Sequence, residues 1–277
     1  MKKWGLIVVV AIIVVAGIAY YMRTQQTQQQ AGDAAPPAAA MQKVVIATEG
    51  AYPPFNFVDA SGALQGFDVD IANALCAQMK AECTIVAQDW DGIIPGLIAK
   101  KYDAIIASMS ITEERKKQVD FTSKYYKTPG KAIAKKGSGI DSSKEGLTGK
   151  IIGVQVSTIH ENFVRDSFGD VAEIKAYDTQ ENANLDLVAG RVDVLFADSV
   201  ALDEGFLKTD MGKDFEFVGP DFTDPKWFGD GAGIAVRKED TALRDALNAA
   251  IDEIRKDGTY KKIQDKYFTF DVYGPTS

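Results

Sequence analysis

Histidine occurs once in this 277-residue chain, at His160, and cysteine only twice, at Cys76 and Cys83. With no Cys/His cluster there is no spacing from which a structural or catalytic zinc site can be read, and no cofactor or metal is expected. Basic residues are outnumbered by acidic ones, 31 to 39, for a net charge of −8. Setting aside residues 1–41, which carry Lys2, Lys3 and Arg23 against Asp33, leaves 28 basic and 38 acidic residues, a net −10. A surface that acidic argues against a nucleic-acid partner. A P-loop is absent as well: the glycine-rich stretch from Lys226 to Ile234 has neither the lysine nor the strand-loop-helix spacing a phosphate cradle needs. The chain is not poor in apolar residues, which make up 46% against 25% charged, so disorder is excluded and one large or two medium domains are expected.

The one long hydrophobic run is at the N-terminus. Lys2 and Lys3 precede an uninterrupted apolar stretch from Trp4 to about Met22, a positive flank and a span near the bilayer length. Residues 1–23 are therefore expected to direct export, either as a signal peptide cut near Gly17-Ile18-Ala19 or as an uncleaved hydrophobic anchor helix. No cysteine follows the run, so a lipid-modified N-terminus is not expected, and no second run of that length or transmitter domain is read further on. Residues 24–42, largely Gln, Ala, Thr, Pro and Gly, cannot build a core and read as a low-complexity linker. In an exported protein, Cys76 and Cys83 at that spacing are read as a disulfide, the alternative being two buried thiols.

Beyond the linker, strands alternate with helices, which implies α/β architecture with mostly parallel sheets covered on both faces. Lys43 to Thr48 is a strand, and Glu49 to Phe55 leaves it as a Pro-containing loop. Asp68 is read as the N-cap of a helix carrying Val69, Ala72 and Leu75 on one face. Trp90 follows the strand Cys83–Ala87 as Tyr52 follows the first, and two aromatic faces at neighbouring strand ends can sandwich a cationic side chain, or simply pack in the core.

The stretch Ser108-Met109-Ser110-Ile111-Thr112-Glu113-Glu114-Arg115 runs from a buried strand, 104–107, into a helix start at Thr112. Hydroxyls, free N–H groups and a guanidinium suit a carboxylate, unless Thr112 is a plain cap and Arg115 a solvated charge. Ser157-Thr158 is a second such helix start, and Asp198 ends the apolar strand Val194–Ala197, where it can cap a helix or face a cleft. Two crossings are expected between two α/β units: one at Lys131–Lys135, and one along the glycine-rich return strand from Lys226 to Ile234. The units read as lobe 1, residues 43–127 and 232–274, and lobe 2, residues 128–231.

Several motifs occur in order: Gly66-Phe67-Asp68-Val69-Asp70-Ile71 with Leu75-Cys76, Ser110-Ile111-Thr112 with Arg115, Asp120-Phe121-Thr122, Ala189-Gly190-Arg191-Val192-Asp193, Phe228-Gly229 and Asp257-Gly258-Thr259-Tyr260. Through them the region from Lys43 to about Gly274 resembles the polar amino-acid-binding proteins of bacterial ABC importers, solute-binding family 3. The short-spaced cysteine pair resembles the lysine/arginine/ornithine/histidine-binding branch.

The resemblance implies a two-lobed periplasmic binding protein fold, a clam shell with two hinge crossings. It implies a monomeric, non-catalytic, extracytoplasmic protein that passes a cationic L-amino acid to a membrane permease. The implied ligand-binding residues are Arg115, Ser110 and Thr158 at the α-carboxylate, Asp198 and Ser108 at the α-ammonium, Tyr52 and Trp90 flanking the side chain, and Glu49 toward its distal end. Ala107 and Ile159 depart from the polar residues the branch carries there. Two other readings stay open, a binder of glutamine or another polar amino acid and an enzyme similar to cyclohexadienyl dehydratases. Against glutamine, no lysine stands near Gln155.

Overall fold

The computed structural model describes residues 43–274. The apolar N-terminal run and the linker lie outside these residues. The first elements are β1 (Lys43–Thr48), the short strands β2 (Ala51–Tyr52), β3 (Asn56–Val58) and β4 (Leu64–Gln65), helix α1 (Phe67–Met79), β5 (Glu82–Ala87), α2 (Ile93–Ile98) and β6 (Ala104–Ile105). Next come the single turn α3 (Glu113–Lys116) and β7 (Asp120–Tyr126). The second unit follows with β8 (Gly130–Lys135), α4 (Lys144–Leu147), β9 (Ile151–Gln155), α5 (Ile159–Phe168), β10 (Glu173–Tyr177), α6 (Gln180–Val188), β11 (Val194–Asp198), α7 (Ser199–Leu202) with a π turn to Leu207, and β12 (Phe215–Phe222). The chain ends with α8 (Pro225–Phe228), β13 (Ala232–Val236), α9 (Thr241–Lys256) and α10 (Thr259–Tyr267).

These elements build two lobes on two sheets of the same design, ordered β5-β1-β6-β13-β7 and β10-β9-β11-β8-β12. In each, three strands run parallel and a fourth is inserted antiparallel before the edge strand. The sheets are thus mixed, not simply parallel. The inserted strand is in each case the one that has just arrived from the other lobe: β8 after the first crossing, β13 after the second. The first crossing therefore falls between Tyr126 and Gly130, and Lys131–Lys135, expected to form it, are instead part of the second sheet. The second falls between Phe222 and Ala232, and its first part is the helix α8, capped by Asp224 with Pro225 at its start, where a strand was expected.

Both faces of each sheet are covered. Along 104–107, Ala104 and Ile106 enter one apolar cluster while Ile105 and Ala107 enter another, and along β11 Val194 and Phe196 face away from Leu195 and Ala197. Helix α9 covers the first sheet with Leu243, Leu247, Ala250, Ile251 and Ile254, a stripe at helical spacing. Cys76 on α1 and Cys83 on β5 form a disulfide. Gly66, just before α1, has φ 119°, and a Cβ there would lie 2.3 Å from Phe55 O in the loop after β2. Asp68 does not cap α1. Its side chain is buried and turned toward β7 and the loop after β6, because three hydrogen-bond partners await it there.

Candidate functional site

Every strand that ends at the cleft between the lobes delivers a polar or aromatic side chain. At the end of β1 the chain turns through Gly50, whose N–H donates to Asn56 Oδ1 at 2.7 Å, and this turn leaves Glu49 pointing inward, only 8% exposed. Tyr52 on β2 is buried against Phe55, with ring centroids 6.0 Å apart. After β5, the short helical turn at Trp90 holds that indole buried, and the Arg115 guanidinium carbon lies 5.2 Å from its ring centre.

Beyond β6, Ser108 sits at φ 54°. This left-handed conformation is uncommon outside glycine, and the surroundings hold it. Tyr125 OH accepts from Ser108 N at 3.0 Å and donates to Asp68 at 2.8 Å, and Ser108 Oγ donates to Asp68 at 2.9 Å. Asn56 Nδ2 donates to the same Asp68 carboxylate at 2.8 Å. Burial lifts the Asp68 carboxyl to about 6 in spite of these bonds.

The turn α3 starts as expected, with Thr112 Oγ1 accepting from Arg115 N at 3.2 Å. It is four residues long, too short to sum a useful dipole, so the anion-attracting group here is the Arg115 guanidinium, not the helix end. Arg115 donates to Ser110 O at 3.0 Å and to Ser157 O of the second lobe at 3.3 Å. It has no ion-pair partner among the described residues. The protein packed around it draws its pKa down to about 10, so it stays charged at neutral pH.

On the second lobe, Thr158 caps α5, accepting from Glu161 N at 3.1 Å, and its hydroxyl donates to Gln155 O at 2.7 Å. Asp198 caps α7 through Val200 N at 2.8 Å and Ala201 N at 3.3 Å, and its other oxygen accepts from the Thr128 hydroxyl. The capping and cleft-facing positions coincide for both residues. Burial raises the Asp198 carboxyl to about 6 and the Glu49 carboxyl to about 7, in the second case only partly offset by a hydrogen bond from Gln155.

All of Glu49, Tyr52, Trp90, Ser108, Ser110, Arg115, Thr158 and Asp198 line one cavity. Ala107, Tyr126, Thr128, Gln155, Ile159, His160, Phe228, Gly231 and Ala232 complete its wall. The sequence does not mark as cavity residues Tyr126, at the end of β7, Thr128, in the first crossing, or Phe228, in the second, although Phe228 belongs to one of the ordered motifs. His160, the one histidine of the chain, is part of the same wall. It stands near Phe196 and Phe228, and burial together with Arg115 pushes its pKa down to about 3, so the ring is neutral.

The cleft is closed. Gln155 donates to Glu49 across it at 2.6 Å and Ser157 to Asp91 at 2.8 Å, while Val200 and Ala201 join the apolar cluster that holds Tyr52 and Phe55. Chemically the cavity offers a guanidinium at one position and two desolvated carboxylates at others, with aromatic faces between. That pattern is complementary to a small zwitterion carrying an additional positive charge.

Comparison with known proteins bears on the same region. The family model of bacterial extracellular solute-binding proteins, family 3, matches residues 44–270. The L-arginine-binding protein of Pseudomonas aeruginosa is 52% identical over 232 residues, which cover 83% of this chain and 90% of the relative. The histidine-binding periplasmic protein of Salmonella typhimurium is 46% identical over 234 residues, 84% of this chain and 90% of the relative. Among solved structures, a Salmonella typhimurium periplasmic binding protein described as having high arginine specificity superposes with a TM-score of 0.77 at 36% identity, covering 82% of this chain and all of that one.

Proposed function

The chain belongs to the bacterial extracellular solute-binding proteins, family 3, and we propose that it works in the periplasm, capturing a cationic L-amino acid, arginine or lysine, for a membrane permease of an ABC importer. The observation that carries this reading is the charge balance of the closed cavity. Glu49 and Asp198 are both buried in its wall, with Asp68 behind, against the single guanidinium of Arg115. Burial, with a smaller push from neighbouring acids such as Asp68, keeps these carboxyls partly protonated, and a ligand that brings two positive charges and one carboxylate offsets that cost. The names of the arginine- and histidine-binding relatives support the same ligand class.

In this assignment Arg115 grips the α-carboxylate with Ser110 and Thr158, and Asp198 takes the α-ammonium with Ser108 beside it. Tyr52 and Trp90 flank the side chain, and Glu49 meets the distal cation. A zwitterion joins Arg115 of one lobe to Asp198 of the other, so it stabilises the closed form through contacts the open form lacks. Binding without chemistry is the preferred reading. A dicarboxylate such as prephenate would set its second carboxylate against Glu49 or Asp198. The apolar N-terminal run supports export, and the permease is assigned from the family.

A thermal-shift screen across the common amino acids, ornithine, citrulline and prephenate tests this proposal. Arginine and lysine are expected to raise the melting temperature most, since a ligand bound only to the folded state stabilises it by mass action. A shift with glutamine and none with arginine or lysine would overturn the ligand class, and turnover of prephenate would overturn the non-catalytic role.

A further inference from the structure

Glu49 stands at the tip of β1 in one lobe and Gln155 at the tip of β9 in the other, and the Gln155 side-chain nitrogen donates to Glu49 Oε1 at 2.6 Å. The same nitrogen donates to Asp178 O, in its own lobe, at 3.2 Å. A carboxylate and a carbonyl both face this end of the amide, so it must be the NH₂ group, and both of its protons are used. Gln155 is 4% exposed, and the Thr158 hydroxyl donates to its backbone oxygen. The amide is thus oriented by its own lobe. Among the described residues the other oxygen of Glu49, Oε2, accepts nothing, and no cation pairs with Glu49.

We propose that Gln155 is a specificity-determining residue that fills one acceptor position of Glu49 Oε1 from the opposite lobe and fixes the carboxylate's orientation, so that the distal cation of the ligand meets Oε2 unshared and Oε1 only beside the Gln155 amide. This rests on the cationic amino-acid reading above. A guanidinium binds a carboxylate best through two parallel N–H···O bonds, whereas an ammonium is a compact charge that is served by one. With one lone pair of Oε1 given to Gln155, a second guanidinium N–H must share that oxygen with the amide and bonds it more weakly, whereas an ammonium served by Oε2 loses nothing. The site then accepts both. Because the donor comes from the opposite lobe, this restriction is imposed only on closure, when the ligand is committed.

A calorimetric double-mutant cycle tests it, with Kd measured for L-arginine and L-lysine on the wild-type protein, Gln155→Met, Glu49→Gln and the double variant. Gln155→Met keeps the side-chain length and removes the donor. Both ligands are expected to bind it more weakly, by a common factor, through loss of the interlobe bond. The ratio of the lysine Kd to the arginine Kd should rise, by up to about tenfold, because Oε1, no longer shared with the amide, accepts the second charge-assisted bond from arginine at full strength. In the Glu49→Gln background the same change should leave the ratio within about twofold, since no carboxylate remains to be freed.

An unchanged ratio in Gln155→Met overturns the inference, as does an equal change in the Glu49→Gln background. If Gln155→Met does not fold, Gln155→Leu carries the same readout. Failure of the wild-type protein to bind either amino acid overturns the parent reading, whereas binding with an unmoved ratio overturns only the role of Gln155.

Discussion

Arg115 lies against Trp90 with two backbone carbonyls as its partners, one from each lobe, and no carboxylate. In the proposed complex the ligand carboxylate is its counter-ion. Arg115→Ala should therefore weaken arginine binding by about 2–5 kcal/mol, the usual loss when a buried charge loses its partner, as read by titration calorimetry. Glu49 and Asp198 set the pH dependence. Their carboxyls are held at about 7 and about 6, above ordinary values of 4.5 and 3.8, so the ligand-free closed protein binds protons that the unfolded chain has released. For acids raised in this way, Asp68 included, the contribution to stability falls as pH rises from about 4 to about 7; His160, held neutral, works in the opposite sense up to about 6.5, and the three carboxyls together outweigh it, so the ligand-free melting temperature should drop across that window. A cationic ligand favours the ionised forms, so arginine affinity should fall as pH is lowered through about 7 and then about 6, with protons released on binding, by at most about tenfold per pH unit per carboxylate. Constant affinity between pH 5 and pH 8 would contradict the assignment of both acids. Residues at strand ends were legible because position and chemistry coincide there, as for Glu49, Trp90 and Asp198. Asp68 was not: the local pattern fits a cap, and only the long-range meeting with Tyr125 and Ser108 turns it inward.

At the scale of elements, most boundaries follow from local signals. Thr112, Thr158 and Thr179 each cap the helix that follows, and α9 keeps the buried stripe its sequence shows. Leu247 is fully buried in that stripe, and Leu247→Ala should cost about 2–5 kcal/mol of stability in denaturant melts. The Cys76–Cys83 bridge ties α1 to β5 and is not part of the cavity wall. Its loss in a Cys76→Ala/Cys83→Ala variant should lower stability by about 2–3 kcal/mol, from the short loop it closes, while leaving arginine affinity within about twofold. The glycine-rich return opens as a helix, not a strand. Asp224-Pro225 is a cap followed by a first-turn proline, a local signal for α8 that lies just before the glycine-rich stretch read from Lys226 onward. Phe228 reaches the cavity only because that turn exists.

At the scale of the whole molecule, the exchange of one strand between two like sheets makes both crossings integral to the cores they enter, and the lobes meet as built units. The alternation of strands and helices pointed to α/β units, but the antiparallel insertion of β8 and β13 was not legible, since nothing local marks a strand as destined for the other lobe. Closure can be probed away from the ligand. Gly205, in the π turn after α7, faces the loop of Pro53, and a Cβ there would lie 2.5 Å from Pro53 O. Gly205→Ala should hold the lobes apart, weakening arginine and lysine alike by about tenfold and leaving a more open ligand-bound particle in solution scattering. The central claim is that the cavity selects an amino acid with a second positive charge, and citrulline, which has the shape of arginine without that charge, addresses it directly. Calorimetry with both ligands on the wild-type protein at pH 7.5 should show arginine binding at least about a hundredfold more tightly, as expected when a buried carboxylate is left without its cation; equal affinities would contradict the account.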